Sequence, residues 1–144
     1  MQFITEQDGA LVNRYTVSRF LRSKLCARIL TAEKEGRLLR EYAFIHELPV
    51  SEADASLDDT ADGEMIVVQG IADCILVDED GLVLIDYKTD RLEEPQAFVM
   101  RYREQLRIYR EALCCLFADY FPGKPAVKKT LIYSLHLGAE IEIE

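Results

Sequence analysis

Asp73, Asp86 and Lys88 are the residues of this chain whose types and spacing best suit chemistry. Asp73 and Asp86 lie in two β-rich runs joined by a short turn that contains Asp-Gly, which predicts a β-hairpin. In the hairpin register Asp73 is directly opposite Asp86, with Cβ atoms about 5 Å apart. Lys88 follows two residues after Asp86 and therefore shares its face of the strand.

Two carboxylates and one ammonium in this arrangement suit Mg²⁺-assisted hydrolysis of a phosphodiester. A divalent ion held between Asp73 and Asp86 would polarise the phosphoryl oxygen and lower the pKa of a bound water. Lys88 would position that water or stabilise the charge that builds on the phosphate. A cation is also expected because like charges placed opposite each other on apolar strands destabilise a sheet.

The pairing of the two aspartates depends on the length of the hairpin loop. A two-residue loop of Glu79 and Asp80 and a four-residue loop give the same register, whereas a three-residue loop would shift it by one residue. Two alternatives stay open: a buried Asp–Lys–Asp ion network that serves only structure, and a register slip that puts one aspartate at a solvated strand end. The neighbours expected on the shared face are apolar, namely Ile71, Ile75, Leu82 and Leu84.

Glu41 is a third carboxylate in an apolar neighbourhood. Strand alternation predicts that it shares a face with Leu39, Ala43 and Ile45. It could complete a metal site, or it could be an ordinary surface glutamate on an edge strand, and the sequence favours neither.

The spacing of apolar residues predicts an α/β domain with a mixed sheet. Helical spacing begins at Val17 and ends near Gly36, and it returns over residues 94–117. The strands before and after the second helix form a βαβ unit with it, so they are predicted to be parallel. Residues 1–16 are interpreted as a lead-in segment and residues 17–144 as one domain. The predicted strands cover residues 38–48, 65–77, 82–88 and 128–137.

Charge and hydropathy limit the classes of function. The net charge of −9 argues against a simple polyanion-binding module, which should be basic. Two features weaken this objection. Many of the acidic residues lie in residues 51–64, which are predicted to form a solvated loop. A nuclease also needs carboxylates to bind metal, and other domains can bind the DNA. No run of eighteen apolar residues and no signal-peptide pattern is present, so no membrane span is expected and the cytoplasm is the default location.

Motifs for several other chemistries are missing. The chain has no GxxxxGK[ST], so ATP is not handled within it, and it has no GxSxG or HExxH. His46 and His136 have no partners at ligand spacing and are interpreted as structural histidines. The cysteines lack the spacing of a zinc or iron–sulfur site and are interpreted as buried free thiols, namely Cys26, Cys74, Cys114 and Cys115.

Four motifs in order resemble the RecB-like branch of the PD-(D/E)xK nuclease superfamily. Gly-Ile-Ala-Asp at 70–73 resembles its Gly-x-x-Asp strand, and Asp-Tyr-Lys-Thr at 86–89 resembles its Asp-Tyr-Lys-[Ser/Thr] strand. Gln-Leu-Arg-Ile-Tyr at 105–109 resembles its Gln-x-x-x-Tyr helix, and Arg-Glu-Tyr-Ala-Phe at 40–44 resembles the strand that brings an acidic ligand. From about residue 17 onward the chain is similar to the C-terminal nuclease domain of the AddA subunit of AddAB helicase–nucleases, the counterparts of RecBCD.

The resemblance implies a restriction-endonuclease-like fold, with a mixed β-sheet flanked by helices, and a Mg²⁺ or Mn²⁺ site. Glu41, Asp73 and Asp86 match the family's metal-binding acids, and the backbone carbonyl of Tyr87 is implied to join them. Lys88 matches the catalytic lysine. The family's iron–sulfur version needs four suitably placed cysteines, and those of this chain do not match it.

The resemblance also implies residues that contact DNA or support the site. Gln105 and Tyr109 are four residues apart on one helix face, and Tyr102 precedes them by one turn. Thr89 follows the lysine. Core packing remains the alternative for Tyr102 and Tyr109.

The implied function is a metal-dependent deoxyribonuclease, of exonuclease type, in a helicase–nuclease that resects DNA breaks for recombinational repair. Its partners would be single-stranded DNA ends and a second subunit of AddB type, and ATP would be used only in the helicase part of the full-length protein. The family also has a Gly-x-x-x-His histidine on an upstream helix, and residues 1–37 contain no histidine, so the domain is expected to be incomplete on its N-terminal side. The alternatives are a non-catalytic DNA-end or partner-binding module with a nuclease fold and, less favoured, a stand-alone small nuclease.

Overall fold

The computed structural model of this chain describes residues 14–53 and 63–144. These residues form a five-stranded mixed sheet whose strands lie side by side in chain order. The strands are β1 (Leu38–Pro49), β2 (Met65–Asp78), β3 (Gly81–Lys88), β4 (Val127–Ser134) and β5 (Ala139–Ile143). β3 and β4 are parallel and the other neighbouring pairs are antiparallel, which confirms the predicted parallel pair.

β5 is an addition to the predicted strands, of which the last ends at residue 137. Its isoleucines Ile141 and Ile143 are buried, whereas the alternating residues Glu140 and Glu142 are exposed. This alternation is typical of an edge strand with one solvated face. The turn before it uses Gly138 at φ +63°, a left-handed conformation that favours glycine.

The helices are α1 (Arg14–Leu21), α2 (Lys24–Lys34), α3 (Val50–Ala53) and α4 (Pro95–Leu116). The prediction of one helix from Val17 to near Gly36 is wrong, because the helix is interrupted near Ser23. The Ser23 hydroxyl accepts the Cys26 N–H at 3.1 Å and so caps α2. Among the described helices none is both long and apolar enough to cross a membrane.

The two segments predicted to lack regular structure are described only in part. α1 includes residues 14–16, which belong to the predicted lead-in segment, and residues 1–13 lie outside the described residues. Of the predicted acidic loop 51–64, the first residues belong to α3 and residues 54–62 lie outside the described residues.

The sheet is covered on both faces. α4 packs on one face, where Leu82 and Leu84 of β3 join the larger buried cluster with Phe98 and Leu106 of the helix. α1 and α2 pack on the other face, where the intervening β3 residues Val83 and Ile85 join a second cluster. A central strand that is apolar on both faces requires such a three-layer arrangement.

The sheet forks where the predicted reaction centre lies. The pairing of β2 with β3 runs from Asp78–Gly81 to Cys74–Ile85. Beyond that point β2 continues beside β1 and β3 continues beside β4. The next residues on the two diverging strands are Asp73 on β2 and Asp86 on β3.

β1 changes the face of its side chains at Glu41. Leu39 and Tyr42 both pack against the α4-side cluster, although in an uninterrupted strand residues three apart point to opposite faces. Glu41 between them has φ 46°, which is uncommon for a residue other than glycine. The predicted sharing of one face is therefore wrong for Leu39, which packs under α4, whereas Glu41, Ala43 and Ile45 are all exposed.

Candidate active site

The hairpin register that was predicted for Asp73 and Asp86 is confirmed. The pairs Asp78–Gly81 and Cys74–Ile85 define it, and the same register aligns Asp73 with Asp86 one step past the last pair. At this position Asp73 Oδ2 accepts the N–H of Tyr87 at 2.9 Å. The Asp73 carboxylate therefore satisfies a backbone donor of β3 at the point where the two strands part.

The two aspartate side chains contact each other, and this contact changes the acidity of Asp73. Burial, a hydrogen bond with the Asp86 side chain and the charge of Asp86 raise the pKa of Asp73 to about 7, against the lowering effects of the Tyr87 N–H and of Lys88. Near neutral pH the metal-free pair therefore either shares one proton or consists of two ionised carboxylates that repel each other strongly. The predicted opposition of two carboxylates is a real feature of the fold.

Lys88 forms an ion pair with Asp86, and its charge also acts on Asp73. Its Nζ lies 2.9 Å from Oδ2 of Asp86, and the two side chains are only 19% and 15% exposed. Burial acts to lower the pKa of Lys88, but the charge and hydrogen bond of Asp86 outweigh it and raise the pKa overall. Lys88 is thus held as an ammonium beside a carboxylate in a partly dehydrated site.

The residues fit a hard divalent cation in their donor chemistry. Two carboxylates in contact and a backbone carbonyl are oxygen ligands of the kind that Mg²⁺ and Mn²⁺ prefer, and a cation would relieve the repulsion that raises the pKa of Asp73. Within residues 14–53 and 63–144, however, no group of three His, Cys, Asp or Glu side chains lies close enough to hold a metal ion. The structure therefore brings two acids together, and a third is not part of the group.

Glu41 is aligned with the pair but its side chain is exposed. The pairs Arg40–Cys74 and Tyr42–Ala72 flank it, so Glu41 lies opposite Asp73 in the register of β1 and β2. Its left-handed backbone sets it apart from the flanking strand residues. An unfavourable conformation of this kind costs about 1–3 kcal/mol and is often found at functional sites. Because the side chain is exposed and lies outside the group formed by the two aspartates, the ligand role of Glu41 stays a prediction.

α4 bridges the two arms of the fork. Tyr102 lies on the β3 side, where its ring centroid is 4.1 Å from Nζ of Lys88. Tyr109 lies on the β1–β2 side, where it packs edge-on against Phe44 at 5.0 Å between centroids. Gln105 between them is exposed. The packing alternative therefore describes what Tyr109 does in this structure, whereas Gln105 is outside the core and open to a ligand.

Gly70 in the Gly-Ile-Ala-Asp motif makes room for the Tyr109 ring. A Cβ added at Gly70 would lie 2.5 Å from Cζ and 2.6 Å from the hydroxyl oxygen of Tyr109. The motif therefore needs glycine here so that α4 can approach β2.

Gly70→Ala is expected to destabilise the fold by about 1–3 kcal/mol, because the methyl group overpacks against Tyr109. Urea unfolding of the variant measures this cost. In a Tyr109→Leu background the same substitution should cost less, since the ring is gone. An equal cost in both backgrounds would contradict the proposed contact.

Asp90 and Arg101 belong to the site although no sequence motif singles them out. The Tyr102 hydroxyl donates to both carboxylate oxygens of Asp90, at 2.8 and 2.7 Å. Arg101 Nη1 lies 2.5 Å from Oδ2 of Asp90. The signal available in the sequence was the acid two residues after Lys88. Thr89 lies between them, half-buried just past the end of β3.

Tyr87, Cys26 and Cys74 contribute to packing on the α1–α2 side of the sheet. The Tyr87 ring packs edge-on against Phe20 at 5.5 Å, and burial raises the pKa of its hydroxyl far above the usual range. Cys26 and Cys74 are buried free thiols as predicted. Cys114 and Cys115 are also free, but their predicted burial is wrong. Cys114 is partly buried and accepts the Val127 N–H at 3.4 Å, whereas Cys115 is exposed.

The two histidines lie in different parts of the fold, and their interpretation as structural residues stays a prediction. His136 Nε2 is 3.0 Å from Oε1 of Glu93, an exposed contact with the loop before α4. His46 is partly buried on β1, where it pairs with Val68 of β2.

Proteins of known sequence resemble this chain over nearly its whole length. The A subunit of an ATP-dependent helicase/nuclease from Clostridium perfringens (strain SM101 / Type A) is 36% identical over 146 residues, which cover 99% of this chain and 11% of the relative. The protein of the same name from Clostridium botulinum (strain Alaska E43 / Type E3) is 35% identical over 143 residues, with 99% and 11% covered. That from Lachnoclostridium phytofermentans is 33% identical over 173 residues, with 98% and 12% covered.

These similarities confirm the resemblance that the four motifs predicted, and with it the restriction-endonuclease-like α/β fold. The chain spans only 11–12% of the length of these relatives. A family model described as the PD-(D/E)XK nuclease superfamily matches residues 5–139, and the chain belongs to that superfamily.

Proposed function

We propose that this chain is the metal-dependent deoxyribonuclease part of an AddAB- or RecBCD-type helicase–nuclease, acting as an exonuclease during resection of double-strand breaks for recombinational repair. The observation that carries this proposal is the contact between Asp73 and Asp86 at the fork of the sheet, with the Lys88 ammonium 2.9 Å from Asp86. Membership of the nuclease superfamily and similarity to ATP-dependent helicase/nuclease proteins support it.

Each residue of the site has a role in this proposal. Asp73 and Asp86, with the Tyr87 carbonyl and Glu41, would hold Mg²⁺ or Mn²⁺. The bound ion would polarise the phosphoryl oxygen and make water a better nucleophile. Lys88 would orient that water by hydrogen bonding and stabilise the negative charge that builds on the phosphate in the transition state.

The DNA and the partners belong to the whole protein. Gln105 of α4 and Thr89, which follows Lys88 in the sequence, would contact a single-stranded end. Tyr102 and Tyr109 would support the site from α4. Because the domain is acidic overall, helicase domains of the same protein, where ATP is used, would deliver the strand. The proposed partner is a second subunit of AddB type, and the proposed place of action is the bacterial cytoplasm.

A non-catalytic DNA-end or partner-binding module is the second candidate. The exposed side chain of Glu41, outside the group formed by the two aspartates, favours it. In that case the site would lack its third acidic ligand and would not cut.

A cleavage assay separates the two candidates. The protein is incubated with end-labelled single-stranded and duplex DNA in Mg²⁺, and Asp86→Asn protein purified in the same way controls for contaminating nucleases. Metal-dependent cleavage by the wild type alone supports the nuclease. DNA binding without cleavage in Mg²⁺ or Mn²⁺ would refute it in favour of the binding module.

A further inference from the structure

A hydrogen-bonded group outside the predicted ligands surrounds Tyr102, the residue whose ring contacts Lys88. Asp90 accepts the Tyr102 hydroxyl on both of its oxygens, at 2.8 and 2.7 Å. The Asp90 side chain is only 18% exposed, and Arg101 completes its partners. A bifurcated hydrogen bond to a charged, largely buried acceptor fixes the Tyr102 ring more firmly than packing alone would.

The Tyr102 ring in turn contacts the lysine. Lys88 Nζ lies 4.1 Å from the ring centroid and 2.9 Å from Asp86 Oδ2. A lysine side chain is long and flexible, and holding it in one rotamer costs conformational entropy. The Tyr102 ring and the Asp86 carboxylate both contact the ammonium and together restrict where it can lie.

We propose that Asp90 is a positioning residue for Lys88 and acts on it through Tyr102. Asp90 holds the Tyr102 hydroxyl, the Tyr102 ring holds the Lys88 ammonium by a cation–π contact, and the ammonium is thereby kept beside the reacting phosphate. This inference rests on the proposed nuclease function, and it assigns no contact between Asp90 and substrate or metal.

The neighbouring chain does not assign Asp90 to a simpler task. α4 begins at Pro95 with Glu94 as its N-cap residue, so Asp90 does not cap the helix. Its described partners are two consecutive side chains of the helix, Arg101 and Tyr102, and the second of these is the one that contacts Lys88. Asp90 therefore connects the exit of β3 to α4 at the point where the catalytic lysine is held.

The kinetic test uses Asp90→Ala, Asp90→Asn, Tyr102→Phe and the Asp90→Ala/Tyr102→Phe double variant. Asp90→Ala should lower kcat by about 3- to 30-fold, the range of one partly buried cation–π contact, with little change in KM. Asp90→Asn keeps an acceptor for the hydroxyl and should recover most of the rate. The double variant should be no slower than the slower single variant, because both substitutions break the same link.

Asp80→Ala is the matched control. It also removes one aspartate that is paired with a basic side chain, here Lys128 in place of Arg101, but at the opposite end of β3. Its kcat should stay within about twofold of the wild type. An Asp90→Ala enzyme with unchanged kcat, or effects of Asp90→Ala and Tyr102→Phe that multiply in the double variant, would overturn the proposal.

A spectroscopic readout on metal-free protein is independent of activity. Because Nζ of Lys88 lies over the Tyr102 ring, the protons on the adjoining Cε should be shifted upfield in an NMR spectrum. The signal is assigned by its loss in Lys88→Arg. The shift should be lost in Asp90→Ala and retained in Asp90→Asn. A shift that survives in Asp90→Ala would overturn the positioning role, whereas absence of cleavage by the wild type would refute only the proposed function.

Discussion

Lys88→Met is expected to lower the rate of single-stranded DNA cleavage by about 10²–10³-fold without loss of divalent metal binding. One preorganised charged donor at a developing oxyanion contributes about that factor, and methionine keeps the length and packing of the side chain without its charge. The ammonium lies 2.9 Å from Asp86 Oδ2, so its removal also leaves the acidic pair less neutralised and metal binding at least as favourable. Single-turnover cleavage with enzyme in excess measures the rate, and calorimetry measures the metal.

Lys128→Met provides the control for this substitution. Lys128 also pairs with aspartates of the same hairpin, Asp78 at 2.8 Å and Asp80 at 2.5 Å, but at its turn end. Its cleavage rate should stay within about threefold of the wild type. If Lys88→Met retained a tenth or more of the wild-type rate, Lys88 would not be the group that stabilises the transition state.

Asp73→Asn is expected to abolish cleavage and yet to stabilise the metal-free protein at pH 8. The folded-state pKa of Asp73 is about 7 because burial and the adjacent Asp86 disfavour its charge, whereas an unfolded aspartate titrates near about 4. Asparagine has no charge to bury and can still accept the Tyr87 N–H. After a discount for partial solvent screening, the gain in the free energy of unfolding should be about 1–3 kcal/mol.

The pH dependence gives this prediction its sign. Because the folded pKa of Asp73 is raised, its contribution to stability is fully present below about pH 4 and is lost as the pH rises through about 7. The advantage of Asp73→Asn over the wild type should therefore be larger at pH 8 than at pH 5. Urea unfolding in EDTA at the two pH values measures this difference.

Asp78→Asn should behave in the opposite way. The hydrogen bond to Lys128 lowers the pKa of Asp78, and the nearby Arg28 lowers it further, whereas burial opposes them in part. The charge of Asp78 therefore stabilises the fold at neutral pH. Its replacement should destabilise the protein at pH 8. If Asp73→Asn also destabilised the metal-free protein at pH 8, the charge of Asp73 would lack the unfavourable effect in the folded state that the account requires.

Much of the fold could be predicted because periodicity and turn chemistry act locally. The register of the hairpin followed from the two-residue turn, and the parallel pair followed from the strand–helix–strand order. The break at Ser23 was missed because the apolar spacing continues through it, whereas hydrogen bonds of Ser23 to Phe20 and Cys26 mark it in the structure. Apolar spacing alone could not show where one helix ends and the next begins.

The site was predictable to the extent that it depends on one hairpin. Asp73, Asp86 and Lys88 are fixed by register alone, so counting residues was enough to bring them together. Glu41 depends on a left-handed backbone conformation that reverses the alternation of β1, which a strict period of two cannot show. The role of Asp90 depends on its contacts with α4. These join residues eleven or twelve positions apart in the sequence, and no local pattern predicts them.

Titration of the protein with Mg²⁺ and Mn²⁺ by calorimetry, beside Asp86→Ala, tests the central claim that the aspartate pair is a metal site. Binding by the wild type, with release of the proton that the pair holds near pH 7, and no binding by Asp86→Ala are the predicted results. Asp78→Asn should bind metal as the wild type does. This control shows that removing an aspartate elsewhere in the hairpin does not abolish metal binding. Binding that persists in Asp86→Ala, or no binding in the wild type, would contradict the claim and leave Asp73 and Asp86 as a structural pair.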